Sequence, residues 1–160
     1  MKKRVLTFLC IVFLLTACNQ SKKEEYKSGA SVKEITIDGL KNELIKLKEG
    51  KSGFDVTGIT SNGTDCIYFI NNGDTFTIEF EAMTADQVPF LKKLKAFAAT
   101  NGFKTLKTAS KKKPLYETDE FAPVICILTN TSLDETVVIA EKIQTQVFGN
   151  SKSTTYDVVP

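Results

Sequence analysis

The chain has 160 residues, with 21 lysines and arginines against 19 aspartates and glutamates, and no histidine. Without histidine there is no Ser-His or Cys-His catalytic pair, no imidazole metal ligand and no ordinary general base titrating near neutrality. The near-balanced charge argues against nucleic acid as a partner, because binding through a broad basic face needs several excess cations on one surface.

Lys2, Lys3 and Arg4 open the chain, an almost wholly apolar run follows from Val5 to Ala17, and Leu15-Thr16-Ala17-Cys18 closes it with small residues and a thiol. A basic start, a short apolar stretch and a small-residue end are the layout of a secretory signal. The 13 residues of the run reach only ~20 Å as a helix, too little for the ~30 Å of hydrocarbon that a permanent span crosses. The closing four residues resemble the lipobox of bacterial lipoproteins. That resemblance covers residues 1–18 and implies cleavage before Cys18 and acylation of its sulfur. Residues 1–17 are then a signal peptide, and the bilayer is the partner of the acylated Cys18. A thiolate is the best side-chain nucleophile near neutral pH for such a thioether, and more than one acyl chain is needed for stable attachment. Asn19, in place of the aspartate that retains many such proteins at the inner membrane, points by the same resemblance to the outer membrane of the cell envelope.

Loss of Lys2, Lys3 and Arg4 with the leader leaves 18 basic residues against 19 acidic. Residues 18–32 combine the anchor with a polar, lysine- and glutamate-rich stretch broken by Ser28-Gly29, whose apolar content is too low to fold. Within it Ser21-Lys22-Lys23-Glu24-Glu25 reads either as a solvated spacer or as the Lys-acidic-acidic tether that marks surface export in some bacterial groups. Residues 33–160 fit one domain.

In the domain, Asp38 is placed to cap a helix carrying Leu40, Leu44 and Leu47, with Gly50 as its stop. Strands are expected over residues 54–60, 66–70 and 75–81. The last two are joined by Asn71-Asn72-Gly73-Asp74, in which Asn-Gly is a strong hairpin signal. With Asn72-Gly73 as the central pair, Phe69 faces Phe76 and Ile67 faces Ile78. The core face is then Ile67, Phe69, Phe76, Ile78 and Phe80, and Cys66, Tyr68, Ile70 and Glu79 fall on the other. Thr84-Ala85-Asp86-Gln87 has capping-box spacing, and Pro89 sits harmlessly in the first turn of the helix that follows. Phe90, Leu91, Leu94, Phe97 and Ala98 form its apolar stripe, and Asn101-Gly102 ends it. A strand over 103–108, a polar loop over 109–120 and a strand over 124–129 come next. Ser132-Leu133-Asp134-Glu135 opens a third helix running to Gly149, and 154–159 is a last strand.

From residue 75 onward this order is strand, helix, strand, strand, helix, strand, the βαββαβ arrangement of ferredoxin-like domains. Counted from the first helix to the third, the order αβββαββα resembles secretion-chaperone-like domains. Either way the expectation is an α+β fold. It is a single two-layer domain with a mostly antiparallel sheet and about three helices, a ferredoxin-like core preceded by a helix and extra strands.

Of the four cysteines, Cys10 leaves with the leader and Cys18 is the anchor. Cys66 and Cys126 can pair in an oxidising compartment if their Cα atoms lie within ~7 Å; otherwise they are two small buried thiols. Two thiols do not complete a zinc site, Asp65, Asp74, Glu79 and Glu81 lack the spacing of a calcium loop, and no phosphate loop, nucleophile elbow or Cys-x-x-Cys pair occurs. The expectation is a non-enzymatic module with no cofactor. It binds a second envelope protein, as immunity-type or assembly factors do, through Tyr68, Lys111, Lys112, Lys113, Tyr116 and Asp119. The alternative is a small-ligand carrier or an envelope enzyme that uses carboxylates in a pocket between sheet and helices.

Overall fold

A computed structural model of the chain describes residues 32–109 and 122–160. The leader, Cys18 and the remainder of the expected tether lie outside these residues, as do Lys111, Lys112, Lys113, Tyr116 and Asp119. The described residues belong to a compact unit, Val32–Pro160. Its elements in chain order are β1 (Lys33–Ile35), α1 (Leu40–Lys48), β2 (Val56–Thr60), β3 (Ile67–Asn71), β4 (Phe76–Glu81), α2 (Val88–Thr100), β5 (Lys104–Ala109), β6 (Pro123–Thr131), α3 (Leu133–Lys142) and β7 (Tyr156–Val159). The α+β class is therefore as expected. No described helix is long and apolar enough to cross a membrane.

Local chemistry accounts for most element boundaries. The capping boxes of Thr84 with Gln87 and of Ser132 with Glu135 both form, each satisfying backbone donors that a helix start leaves open. Asp38 lies inside a 3-10 turn, Ile37–Gly39, that leads into α1, and so is not the cap expected of it. A π-helical turn, Ile143–Val147, prolongs α3. β1 was not anticipated. It spans three residues, and it is held by pairing with β7 and by the Lys33 ammonium on the Glu43 carboxylate of α1.

The strands form one antiparallel sheet in the order β1-β7-β2-β3-β4-β6-β5. Three strands of the expected βαββαβ set, β4, β6 and β5, stand side by side. The fourth, β7, pairs with β2, because the β2–β3 hairpin occupies the other edge of β4. The β3–β4 hairpin keeps a two-residue turn but centres it one residue later than expected, on Gly73-Asp74. Phe69 faces Ile78 and Asn71 faces Phe76, and Asn72 N–H donates to the Thr75 carbonyl at 2.8 Å. Gly73 has φ 86° while neither Asn72 nor Asp74 lies at positive φ, so the glycine takes the first central position, as one of the two favoured hairpin turns requires. The slip is two residues. Because side chains alternate with period two, an even slip leaves every residue on its expected face.

Ile67, Phe69, Phe76, Ile78 and Phe80 are each at most 1% exposed. They share one core cluster with Ile59, Ile125, Ile127 and Tyr156 of the neighbouring strands, and with Leu40, Leu44 and Leu47 of α1, Leu94, Phe97 and Ala98 of α2, and Ile139 and Ala140 of α3. All three helices thus bury their apolar stripes against the same sheet face. Phe80, Phe90 and Phe148 meet in an aromatic trio with centroid separations of 4.8 to 6.4 Å, tying β4 to the start of α2 and the end of the π-helical turn.

Phe80→Ala should lower unfolding free energy by about 3 to 5 kcal/mol. Val138→Ala, at a side chain 51% exposed, should change it by less than about 1 kcal/mol. Urea unfolding followed by circular dichroism measures both, and equal effects would contradict the burial described.

Candidate functional site

The face of the sheet turned away from the helices carries the side chains that alternate with the core. Pairing across the strands places Val56 opposite Ile70, Gly58 opposite both Tyr68 and Val159, Tyr68 opposite Glu79, Glu79 opposite Cys126, and Cys126 opposite Leu106. Leu128 is opposite Lys104 on the same face. An antiparallel sheet covered on one side ordinarily presents polar residues on the other. Here Val56, Tyr68, Ile70, Leu128 and Val159 are half-buried, and Leu106 is 51% exposed. Glycine at 58 has a definite reason: a Cβ there would stand 2.8 Å from the Tyr68 ring and 2.8 Å from a Val159 methyl. The Tyr68 ring therefore lies directly on the β2 backbone, where only glycine admits it.

The polar groups on this face are drawn inward. Cys126 Sγ donates to Glu79 Oε1 at 2.7 Å. Glu81 Oε1 is withdrawn from solvent with no hydrogen-bond partner among the described residues. Burial, above all, pushes the Cys66 thiol up to about 11, with the charges of Asp65 and Glu81 adding to it and a hydrogen bond with Tyr68 opposing it. Burial likewise raises the Tyr68 phenol, with Cys66 and Glu81 adding to the rise. A thiol and a phenol held neutral in this way are poor nucleophiles.

The expected pairing of Cys66 with Cys126 does not form. Cys126 stands opposite Glu79 on β6, while Cys66 directly precedes β3, so the whole of β4 separates their strands. Two strand spacings amount to ~10 Å, beyond the reach of a disulfide.

Asp65, on the loop between β2 and β3, is 2% exposed. Its Oδ1 accepts from Thr60 Oγ1 at 2.6 Å, Ser61 N at 2.9 Å and Asn62 N at 3.3 Å. Its Oδ2 accepts from Ser61 Oγ and Asn150 Nδ2, each at 2.6 Å. Gln144, fully buried in the π-helical turn, donates to the Asp65 carbonyl at 3.1 Å and accepts from Asn150 at 2.8 Å. Burial works to raise the Asp65 carboxyl, but the hydrogen bonds from Ser61, Thr60 and Asn150 outweigh it and hold it below its ordinary value. With both oxygens engaged, this carboxylate is an anchor for the 61–65 loop and does no proton-transfer chemistry. Gln87 holds the same loop from the other side, donating to the Gly63 carbonyl at 3.1 Å while accepting from Met83 N at 2.7 Å.

Among the described residues no group of three or more Cys, Asp or Glu is placed to hold a metal ion. A shallow groove of about 450 Å³ runs along α3, lined by Phe103, Thr131, Asp134, Glu135, Val138, Ile139 and Lys142, in which Asp134 and Glu135 are exposed. Of the residues singled out for partner binding, Tyr68 lies on the helix-free face, and the others fall outside the described residues. Gly58, Val56, Leu106, Leu128 and Val159 join Tyr68 there. Alternation within each strand hinted at them, but only the strand order assembles them.

Asp65→Ala should cost about 2 to 4 kcal/mol by stranding several donors. The lowered carboxyl also fixes a sign: its contribution is fully present above the unfolded-state value near pH 4 and is lost as pH falls through the folded value. Asp65→Asn should therefore flatten the fall in stability below about pH 4, read from urea midpoints against pH. Alkylation of Cys66, resolved from Cys18 by peptide mass spectrometry, should be slow at pH 7 and rise about tenfold per pH unit toward 11; fast labelling at neutral pH would refute the burial assigned to it.

The chain matches no known protein family, no characterised protein and no solved structure.

Proposed function

We propose that this chain is a cell-envelope lipoprotein, anchored through acylated Cys18, whose domain binds another protein on the helix-free face of its sheet. The observation that carries the binding half is the apolar composition of that face. Val56, Tyr68, Ile70, Leu106, Leu128 and Val159 all stand where a one-sided sheet would ordinarily be polar. Glu34 on β1 and Lys104 on β5 mark its two edges, and of the carboxylates nearer its centre Glu79 is bonded to Cys126 and Glu81 is half-buried. An apolar centre with a charged rim is the anatomy of a protein interface. The anchoring half rests on the leader and on Leu15-Thr16-Ala17-Cys18, and tethering near a membrane raises the effective concentration of partners there.

No observation favours the alternative of a carrier or enzyme pocket between sheet and helices. Glu79 and Glu81 point away from the helices, Asp65 is saturated, and the layer between is filled by Phe69, Phe76, Phe80 and Leu94. For the fold, we read a single two-layer domain with a ferredoxin-like core, opened by the β2–β3 hairpin between its β4 and β7 positions.

Metabolic labelling with a palmitate analogue should mark the wild type and leave Cys18→Ala unmarked and released from the membrane fraction; an unlabelled wild type would end the anchoring claim. A photo-crosslinking residue in place of Ile70 or Leu128 should give one discrete adduct in native envelopes, and the same residue at Val138 should give none. Equal yields at all three positions would remove the face from consideration.

A further inference from the structure

The sheet has two edges, and they are unlike. β1 is three residues long, with its Lys33 occupied by Glu43. β5 is six residues long, pairs only with β6, and presents Lys104, Leu106 and Lys107 as exposed side chains. From Val88 to Ala109, the stretch that makes α2 and β5, the sequence has Lys92, Lys93, Lys95, Lys104 and Lys107 and no acidic residue. Lysines elsewhere, among them Lys41, Lys46, Lys48, Lys51 and Lys152, form ion pairs. Among the described residues Lys92, Lys93, Lys95, Lys104 and Lys107 form none. Lys93 instead lies 4.9 Å above the Phe90 ring, on a helix that packs against β5. Among the described residues, five lysines without an ion pair are thus gathered on β5 and on the helix packed against it, beside a long strand edge that pairs with no further described strand.

We infer that the β5 edge receives an extended acidic segment of a partner protein, which adds to the sheet as an eighth, antiparallel or parallel, strand. Deepening the protein-binding reading, this assignment depends on it and names the partner's chemistry. A strand edge offers a row of backbone N–H and C=O groups that another strand satisfies and that a lipid headgroup cannot. Lys104 and Lys107 point to opposite sides of β5, so an incoming strand with carboxylates on both sides meets a lysine on each. Leu106, between them on the apolar face, gives such a strand an apolar neighbour. The same charges argue against a second copy of this chain. Pairing of β5 with β5 would put Lys104 and Lys107 of both copies on one two-stranded ladder, and like charges across a ladder are destabilising. Edge lysines that deter self-pairing therefore leave the edge selective for acid.

The test uses the full chain in detergent and a synthetic peptide of glutamate and valine, with glutamates at both odd and even positions so that both sides of the strand carry carboxylates, about eight residues long. Hydrogen exchange should slow by about tenfold or more at alternate amides of 104–109, those directed away from β6. The Lys104→Glu/Lys107→Glu variant should keep its thermal midpoint and bind the peptide about tenfold more weakly, and a lysine-valine peptide should not bind. Binding without protection of β5, an unaffected double variant, or protection that depends on protein concentration without peptide would each overturn the inference. Charge-dependent binding to phosphatidylglycerol vesicles with no peptide protection would overturn it too, assigning the lysines to a bilayer. Adducts at Ile70 or Leu128 that survive such a failure would leave the protein-binding reading standing and remove only its assignment to β5.

Discussion

Three helices cover one face of a seven-stranded sheet, and the rest of the molecule follows from that one-sidedness. The alternation of Ile67, Phe69, Phe76, Ile78 and Phe80 along β3 and β4 supplies an apolar face on which α1, α2 and α3 all bury their stripes. At roughly 25 cal/mol per Å² of apolar area removed from water, a layer of this breadth is the main favourable term in folding. Among the described residues, the helices stand on one side and the other side is formed by strand residues. That side would be soluble and unremarked if it alternated cleanly to polar. Its valines, isoleucine, leucines and tyrosine instead give the domain a surface with something to gain from a partner.

The ends of the strands are secured by a different kind of interaction. The Asp65 carboxylate draws Thr60 at the end of β2, the Ser61 and Asn62 backbone, and Asn150 beyond the π-helical turn onto two oxygens. Gln144 and Gln87 add bonds from α3's extension and from the entrance to α2. A buried charge is tolerated only when it is so completely hydrogen-bonded. The consequence is geometric. Segments up to 85 residues apart in sequence meet at one carboxylate, so the entry to β3, the start of α2 and the approach to β7 are held in one arrangement. Burial also raises the Tyr156 phenol, and the nearby Asp65 charge adds to this, so Tyr156 stays neutral in the same corner.

The chemistry of the helix-free face is subdued for the same physical reason that the Asp65 corner is rigid. Cys66 and Tyr68 are kept protonated by burial, and Cys126 gives its proton to a hydrogen bond with Glu79. A surface whose ionisable groups are neutral or internally bonded presents little desolvation cost to an approaching apolar patch. At the β5 margin Lys104 and Lys107 are exposed.

Local chemistry in the sequence determined a large part of this architecture. The hydrophobic periods placed the helices and strands, the two Ser/Thr boxes set helix starts, and alternation put Tyr68 and Cys66 away from the core. These readings hold because each depends on residues within a turn or a strand of one another. Tertiary structure alone decided what depends on distant partners. It decided the β3–β4 register, since the two-residue turn formed on Gly73-Asp74 with Gly73 in the left-handed region, and the existence of β1, which needs β7 beside it. It decided also the burial of Asp65, whose donor Asn150 is remote in sequence, and the separation of Cys66 from Cys126 by β4. The neighbour of β7 was likewise open until the sheet closed, because a hairpin can add to either free edge of β4 and only the completed packing of the helices selects between them.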